Sequence, residues 1–116
     1  RLPSFTNDEK TLIKGTLDFI GLNHYSTSLT TIGTGTPSTP ASIVNDTNVA
    51  TSSRASWTPS VNGPVCPWGL RAVLNWVHKR YNGAPILVTE NGYGAYKDND
   101  TLTDDYRVAY YSGYMR

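Results

Sequence analysis

The sequence predicts an α/β fold with a parallel sheet. Segments with helix and strand patterns alternate in the order helix, strand, long loop, helix, strand, loop and helix, which is typical of βαβ units. Both strand segments are apolar through their middle, as in parallel strands covered on both faces, and polar residues follow at their C-terminal ends. Because two strands cannot form a stable sheet core alone, we expect the chain to be an excerpt of a larger domain.

The composition limits the classes of partner. The 116 residues carry a formal net charge of +1 and contain no dense basic block, which argues against a nucleic-acid partner. No apolar run is long enough to span a bilayer. The single Cys66 has no metal-ligand or redox spacing around it, so we interpret it as a packed thiol.

Three segments carry helix signals. FTNDEKTLIKG (residues 5–15) has Thr6 and Glu9 at the spacing of a capping box. PWGLRAVLNWVHKRYN (67–82) begins with a proline, and its apolar residues recur at helical spacing. The expected buried stripe consists of Leu70, Val73, Leu74, Val77 and Tyr81. A last helix is predicted from about Asp104. Its expected inner stripe consists of Val108, Tyr111 and Met115.

Two segments carry strand signals. In TLDFIGLNHY (16–25), alternation places Asn23 and Tyr25 on one face. In PILVTEN (85–91), Glu90 ends the apolar run on the face of Ile86 and Val88. A buried carboxylate is costly unless it is paired or used, so Glu90 calls for an explanation.

Between the first strand and the second helix lies a Thr/Ser/Pro/Gly-rich segment, residues 26–66, with little periodicity. Loops of this length tend to be functional lids or disordered linkers, and composition leaves these alternatives about equally open. Since both flanks have the pattern of buried elements, we favour a long loop within one domain. Trp57 is expected to anchor this loop.

The strand ends carry the candidate chemistry. Ligands of parallel α/β folds bind outside the carboxyl ends of the strands, so Asn23, Tyr25 and Glu90 are expected to face one opening. Tyr25 can donate its hydroxyl to Glu90 and favour the ionised carboxylate. An oriented carboxylate beside a bound sugar can attack the anomeric carbon. A carboxylate that caps a neighbouring element or pairs with an arginine fits the spacing equally well.

Five ordered blocks carry a family resemblance: RLPSFT, KGTLDFIGLNHYST, PWGLRAVLNWVHKRY, ILVTENG and DDYRVAYY. Together they resemble the C-terminal part of a glycoside hydrolase family 1 enzyme, the β-glucosidase family. The resemblance covers nearly the whole chain, and only residues 26–66 match weakly. It implies that residues 1–116 are a fragment of one catalytic domain.

The resemblance implies an incomplete (β/α)8 TIM barrel, in which the strand ending at Tyr25 is about the sixth and that ending at Glu90 about the seventh. It implies a retaining β-glycosidase that releases terminal β-linked sugars from oligosaccharides or glycosides, with no cofactor and no metal. Glu90 matches the nucleophile that forms a covalent glycosyl-enzyme. Tyr25 matches the tyrosine that orients and stabilises it, and Asn23 matches a substrate-binding residue.

Other matched positions are interpreted as structural. Asn91 and Gly92 complete the Thr-Glu-Asn-Gly motif and are assigned to backbone geometry. Asp104, Arg107 and Tyr110 match a recurrent pattern on the following helix, and the first two are close enough to pair.

One part of the family pattern is missing. The acid/base glutamate belongs to an Asn-Glu-Pro setting on an earlier strand, and the chain contains no Asn-Glu-Pro. Since retaining hydrolysis needs a second carboxyl group, the fragment alone is expected to be inactive. Two alternatives keep the fold: a non-hydrolytic relative that binds glycans or a protein, and a transglycosidase or thioglycosidase. The intact Glu90 favours an enzyme over a binding module.

Two Asn-x-Thr triplets begin at Asn45 and Asn99, in predicted loops. They are candidate N-glycosylation acceptors. Such acceptors are compatible with a secreted glycoprotein, for example a digestive enzyme.

Overall fold

The computed structural model describes residues 3–33, 42–97 and 102–116. Its helices are α1 (Asn7–Ile13), α2 (Ile43–Asp46), α3 (Pro67–Arg80) and α4 (Asp105–Tyr114). Its strands are β1 (Ile20–Asn23), β2 (Leu29–Ile32), β3 (Val49–Ser52) and β4 (Ile86–Glu90). The predicted alternation of helices and strands is therefore present, with additional elements inside residues 26–66.

Local signals set the helix starts as predicted. The capping box of α1 is confirmed, since Thr6 Oγ1 accepts from the Glu9 N–H at 3.2 Å and Glu9 Oε2 accepts from the Thr6 N–H at 2.7 Å. Pro67 is the first residue of α3. Asp104 caps α4 by accepting from the Arg107 N–H at 3.4 Å, and it also pairs with the Arg107 guanidinium at 2.5 Å.

Strands β1 and β4 pair in parallel, so their carboxyl ends meet at one edge of a two-stranded sheet. The pairs in register are Ile20 with Ile86, Gly21 with Leu87, Leu22 with Val88 and Asn23 with Glu90. The register shifts between Leu22 and Asn23, which leaves Thr89 as an extra residue of β4. Beyond the last pair, the His24 N–H donates to the Glu90 carbonyl at 2.9 Å.

The buried core lies between α3, α4 and the segment after β4. It consists of Leu70, Tyr93, Tyr110 and Tyr114. The Tyr110 and Tyr114 rings stack with centroids 4.0 Å apart. Of the predicted α3 stripe, Leu70 and Val77 are buried, and Tyr81 lies at the C-cap and is exposed.

The predicted inner stripe of α4 is wrong. Val108 and Met115 are 65% and 80% exposed in this chain, whereas Tyr110 and Tyr114 are 2% and 9% exposed. Tyr111 is also exposed. The tyrosine face is buried because both hydroxyls find hydrogen-bond partners there, which removes the cost of burying a phenol.

The described part of residues 26–66 has regular structure that the sequence pattern did not predict. Strands β2 and β3 form an antiparallel pair. Further along, the Val61 N–H donates to the Gly94 carbonyl at 2.9 Å, and the Tyr93 hydroxyl donates to the Pro59 carbonyl at 3.3 Å. Trp57 packs edge-on against Trp68 of α3, with centroids 6.1 Å apart. This segment is therefore held against α3 and the residues that follow β4.

Candidate active site

Tyr25 and Glu90 meet at the carboxyl edge of the β1–β4 sheet. The Tyr25 hydroxyl donates a hydrogen bond to Glu90 Oε2. This hydrogen bond is the main reason that the pKa of Tyr25 lies above its ordinary value, with burial and the charge of Glu90 adding to it. Tyr25 therefore keeps its proton at neutral pH and remains a donor. Glu90 is exposed, so the carboxylate that Tyr25 holds is accessible.

Asn23 lies at the same edge, where its side chain meets Thr89. The Thr89 hydroxyl donates to Asn23 Oδ1 at 2.5 Å. The register shift after Leu22 accounts for this partner, because it inserts Thr89 between the paired residues. Sequence analysis missed Thr89 for the same reason: a shift in pairing leaves no mark in the local pattern. The contact occupies the Asn23 oxygen and leaves the two amide hydrogens as the donors available for a ligand.

A second set of hydrogen bonds connects the site to α4. Asn91 Nδ2 donates to the His24 carbonyl at 2.7 Å and to the Tyr110 hydroxyl at 2.8 Å. Tyr110 in turn donates to the Tyr25 carbonyl at 3.1 Å. The peptide groups on both sides of Tyr25 are thus held, one by Asn91, which follows Glu90, and the other by Tyr110 of α4. Sequence analysis matched Asn91 and Tyr110 to the family but did not predict this connection.

His24 lies between Asn23 and Tyr25, and its side chain packs beside α4. Its ring centroid is 6.0 Å from that of Tyr114, and its Nε2 is 3.4 Å from Thr27 Oγ1. Its Nδ1 is buried and has no hydrogen-bond partner among the residues that the structure describes. Burial lowers the pKa of His24 from its ordinary value.

Two other residues singled out in the sequence, Cys66 and Asn45, lie at the start of α3 and in α2. Cys66 is a buried free thiol before α3, and burial raises its pKa. Asn45 belongs to α2, and Asn99 lies outside the described residues. Within residues 3–33, 42–97 and 102–116, no cluster of three or more His, Cys, Asp and Glu side chains could hold a metal ion. The helices in those ranges include none with the length and apolar character needed to cross a membrane.

Comparisons with known proteins match the chain from end to end. The family model described as glycosyl hydrolase family 1 matches residues 1–116. Myrosinase 1 of Brevicoryne brassicae is 40% identical over 119 residues, covering 99% of this chain and 24% of that protein. A cyanidin 3-O-glucoside 7-O-glucosyltransferase (acyl-glucose) of Delphinium grandiflorum is 41% identical over 117 residues, covering 99% of this chain and 22% of that protein.

A solved structure gives the same result. The β-glucosidase of the fungus Humicola insolens in complex with glucose is 35% identical, with a TM-score of 0.78, covering 99% of this chain and 26% of that chain. The chain therefore spans only a small part of the length of the relatives that it matches. Since the similar structures include TIM-barrel β-glucosidases, its fold is a partial barrel. Because the family model matches the full length of the chain, the chain belongs to glycosyl hydrolase family 1.

Proposed function

We propose that the protein containing this chain is a retaining β-glycosidase of the β-glucosidase type. It hydrolyses terminal β-linked sugars from oligosaccharides or glycosides, and needs no cofactor or metal. We assign β1 and β4 as about the sixth and seventh strands of a (β/α)8 barrel. Residues 1–116 belong to its single catalytic domain, with 26–66 as a long βα loop.

The observation that carries the proposal is the hydrogen bond from Tyr25 to Glu90 at the carboxyl edge of a parallel strand pair. This edge is where parallel α/β folds bind their ligands. Family membership supports the assignment of Glu90 as nucleophile, and the similar Humicola insolens β-glucosidase has a structure in complex with glucose, which supports a carbohydrate substrate.

In the first step, a Glu90 carboxylate oxygen attacks the anomeric carbon, and the bond from that carbon to the leaving-group oxygen breaks. A second carboxyl group, supplied by an earlier strand of the parent domain, gives its proton to the leaving oxygen. Water then attacks the anomeric carbon and passes a proton to that second carboxylate, which releases the sugar and regenerates Glu90. The two carboxyl groups must lie roughly 5–5.5 Å apart. Because the second one belongs to an earlier strand of the parent domain, the fragment alone is expected to be inactive.

Tyr25 and Asn23 have separate tasks in this reaction. Tyr25 holds the Glu90 carboxylate at a fixed angle and stabilises its charge before the attack. Asn23 accepts from Thr89, and so directs its amide hydrogens to a sugar hydroxyl. Tyr25 thus acts on the nucleophile, and Asn23 acts on the substrate.

The proposal is tested with Glu90→Gln in the full-length protein. This change removes the nucleophile and keeps the shape of the side chain, so we expect kcat to fall by roughly 10³-fold or more with an unchanged circular dichroism spectrum. Glu9→Gln is the matched control, since glutamine also satisfies a capping box. Mass spectrometry of the acid-quenched wild type should find a sugar ester on Glu90. Near-normal kcat in Glu90→Gln would overturn the assignment.

A second candidate is transfer of the sugar to an acceptor other than water. It is favoured by the Delphinium grandiflorum relative, which is 41% identical and named as a glucosyltransferase. The same ester on Glu90 would form, and an acceptor hydroxyl would then attack it. The ratio of transfer product to free sugar, measured with increasing acceptor alcohol, separates the two activities. Glycan binding by the wild type without either product would instead indicate a non-hydrolytic relative.

A further inference from the structure

Two stacked tyrosines of α4 make different connections. Tyr110 and Tyr114 lie one turn apart, and both are buried. The Tyr114 hydroxyl accepts from the Cys66 N–H at 3.0 Å and so fixes the start of α3. The Tyr110 hydroxyl donates to the Tyr25 carbonyl at 3.1 Å. The Tyr114 hydroxyl therefore joins two helices, and the Tyr110 hydroxyl reaches both the Tyr114 hydroxyl and the backbone of a proposed site residue.

Asn91 determines the direction of the hydrogen bonds around Tyr110. Its amide donates to the Tyr110 hydroxyl at 2.8 Å and to the His24 carbonyl at 2.7 Å. Because Asn91 supplies a hydrogen to the Tyr110 oxygen, Tyr110 is left as a donor, and the acceptors beside it are the Tyr25 carbonyl and the Tyr114 hydroxyl. Burial, the largest cause, raises the pKa of Tyr110, so the hydroxyl keeps this proton at neutral pH.

Tyr25 depends on this support because it lies beyond the strand. β1 ends at Asn23, and among the described residues the hydrogen bond from the His24 N–H to the Glu90 carbonyl is the last backbone hydrogen bond between these two strands. Beyond that hydrogen bond, Asn91 holds the His24 carbonyl and the Tyr110 hydroxyl holds the Tyr25 carbonyl, so the carbonyl side of Tyr25 depends on Tyr110. A displacement of about 1 Å in a site is enough to cost roughly 10²-fold in rate.

We propose that Tyr110 is a positioning residue for the reaction: from α4 it holds the Tyr25 carbonyl, and thereby aims the Tyr25 hydroxyl at Glu90. The inference rests on the proposed function, since it concerns how that nucleophile is oriented. Tyr110 does not touch the substrate, and its effect passes through Tyr25.

The test compares Tyr110→Phe with Tyr114→Phe in the full-length protein. Each variant keeps its stacked ring and loses one buried hydroxyl, so we expect similar losses of Tm. Only Tyr110→Phe should lower kcat, by about tenfold, with little change in KM. Equal kcat values in the two variants would overturn the proposal, because a merely structural role affects both alike.

A double-mutant cycle then asks whether Tyr110 acts through Tyr25. In the Tyr25→Phe background no hydroxyl remains to be aimed, so adding Tyr110→Phe should change kcat less than about twofold. Full additivity of the two effects would contradict the proposed route.

A crystal structure of Tyr110→Phe provides a measurement that does not depend on turnover. We expect the Tyr25 hydroxyl to leave hydrogen-bond distance of Glu90, and an unchanged contact would overturn the inference. If the wild type shows no turnover and Glu90→Gln changes nothing, the proposed function fails. The position of Tyr25 in the variant still decides the role of Tyr110.

Discussion

The Tyr25 hydroxyl donates a hydrogen bond to Glu90, which lies 65 residues further along the chain. The two residues meet because β1 and β4 run parallel and end at the same edge, where Asn23 lies opposite Glu90 in register. Tyr25 follows the strand by two residues, and its long side chain reaches across to the neighbouring strand end. The contact therefore depends on strand pairing and on the backbone path just after β1.

Tyr25→Phe in the full-length protein is expected to lower kcat about 10- to 100-fold and to change KM less, because the lost hydrogen bond goes to a charged group. Steady-state kinetics over a range of pH measures both constants. Tyr111→Phe is a suitable control, since its hydroxyl donates to the Asn91 carbonyl and not to Glu90. Unchanged kcat and an unchanged pH–rate profile would remove Tyr25 from the mechanism.

Thr89→Val is expected to raise KM by about 2- to 10-fold, which corresponds to the loss of one ordinary hydrogen bond, and to affect kcat less. The substitution removes the donor that fixes Asn23 Oδ1, so the proposed substrate contact of Asn23 is weakened. Thr89→Ser keeps the hydroxyl and should retain the wild-type KM. If serine and valine raise KM equally, the hydroxyl is not the group that matters.

The features predicted from the sequence are those fixed by neighbours along the chain. The capping box of Thr6 and Glu9 and the pair formed by Asp104 and Arg107 each join residues three positions apart, so spacing alone identifies them. The alternation of strands and helices likewise predicted the parallel pairing that brings Tyr25 to Glu90. These parts of the fold and site were accessible without coordinates.

The features that could not be predicted from the sequence depend on contacts between distant segments. Asn23 meets Thr89 because of a register shift that neither strand shows by itself. The buried face of α4 contains Tyr110 rather than Val108, since the phenol finds a partner in the Tyr25 carbonyl. The spacing of apolar residues favours the helix face that contains Val108. It carries no information about a hydrogen bond to a residue 85 positions away in the sequence.

Asp104→Ala is expected to lower the free energy of unfolding by about 1 kcal/mol, because it removes both the cap of α4 and a partly exposed ion pair with Arg107. Asp104→Asn keeps an oxygen that can cap the helix and loses only the charge, so it should cost less. Denaturant unfolding of the full-length protein measures both. The difference between the two variants reflects the cap, and equal losses would show that the cap contributes nothing.

The decrease in protein stability at acid pH should depend on His24. Burial lowers the pKa of His24 in the folded protein, whereas the imidazole of an unfolded chain titrates near its ordinary value of about 6.5. As the pH falls through that value, the unfolded chain binds a proton that the folded protein resists. Stability is therefore unaffected by His24 well above this pH, and it decreases from there toward the lower folded-state pKa.

His24→Phe tests this linkage, because phenylalanine keeps a ring beside Tyr114 and removes the titrating nitrogens. We expect the Tm of this variant to fall less steeply than that of the wild type between about pH 7 and pH 5. His78→Phe is the matched control, since it makes the same replacement at an exposed histidine of α3. If the Tm of the wild type and that of His24→Phe fall equally steeply with decreasing pH, the fold does not oppose protonation of His24.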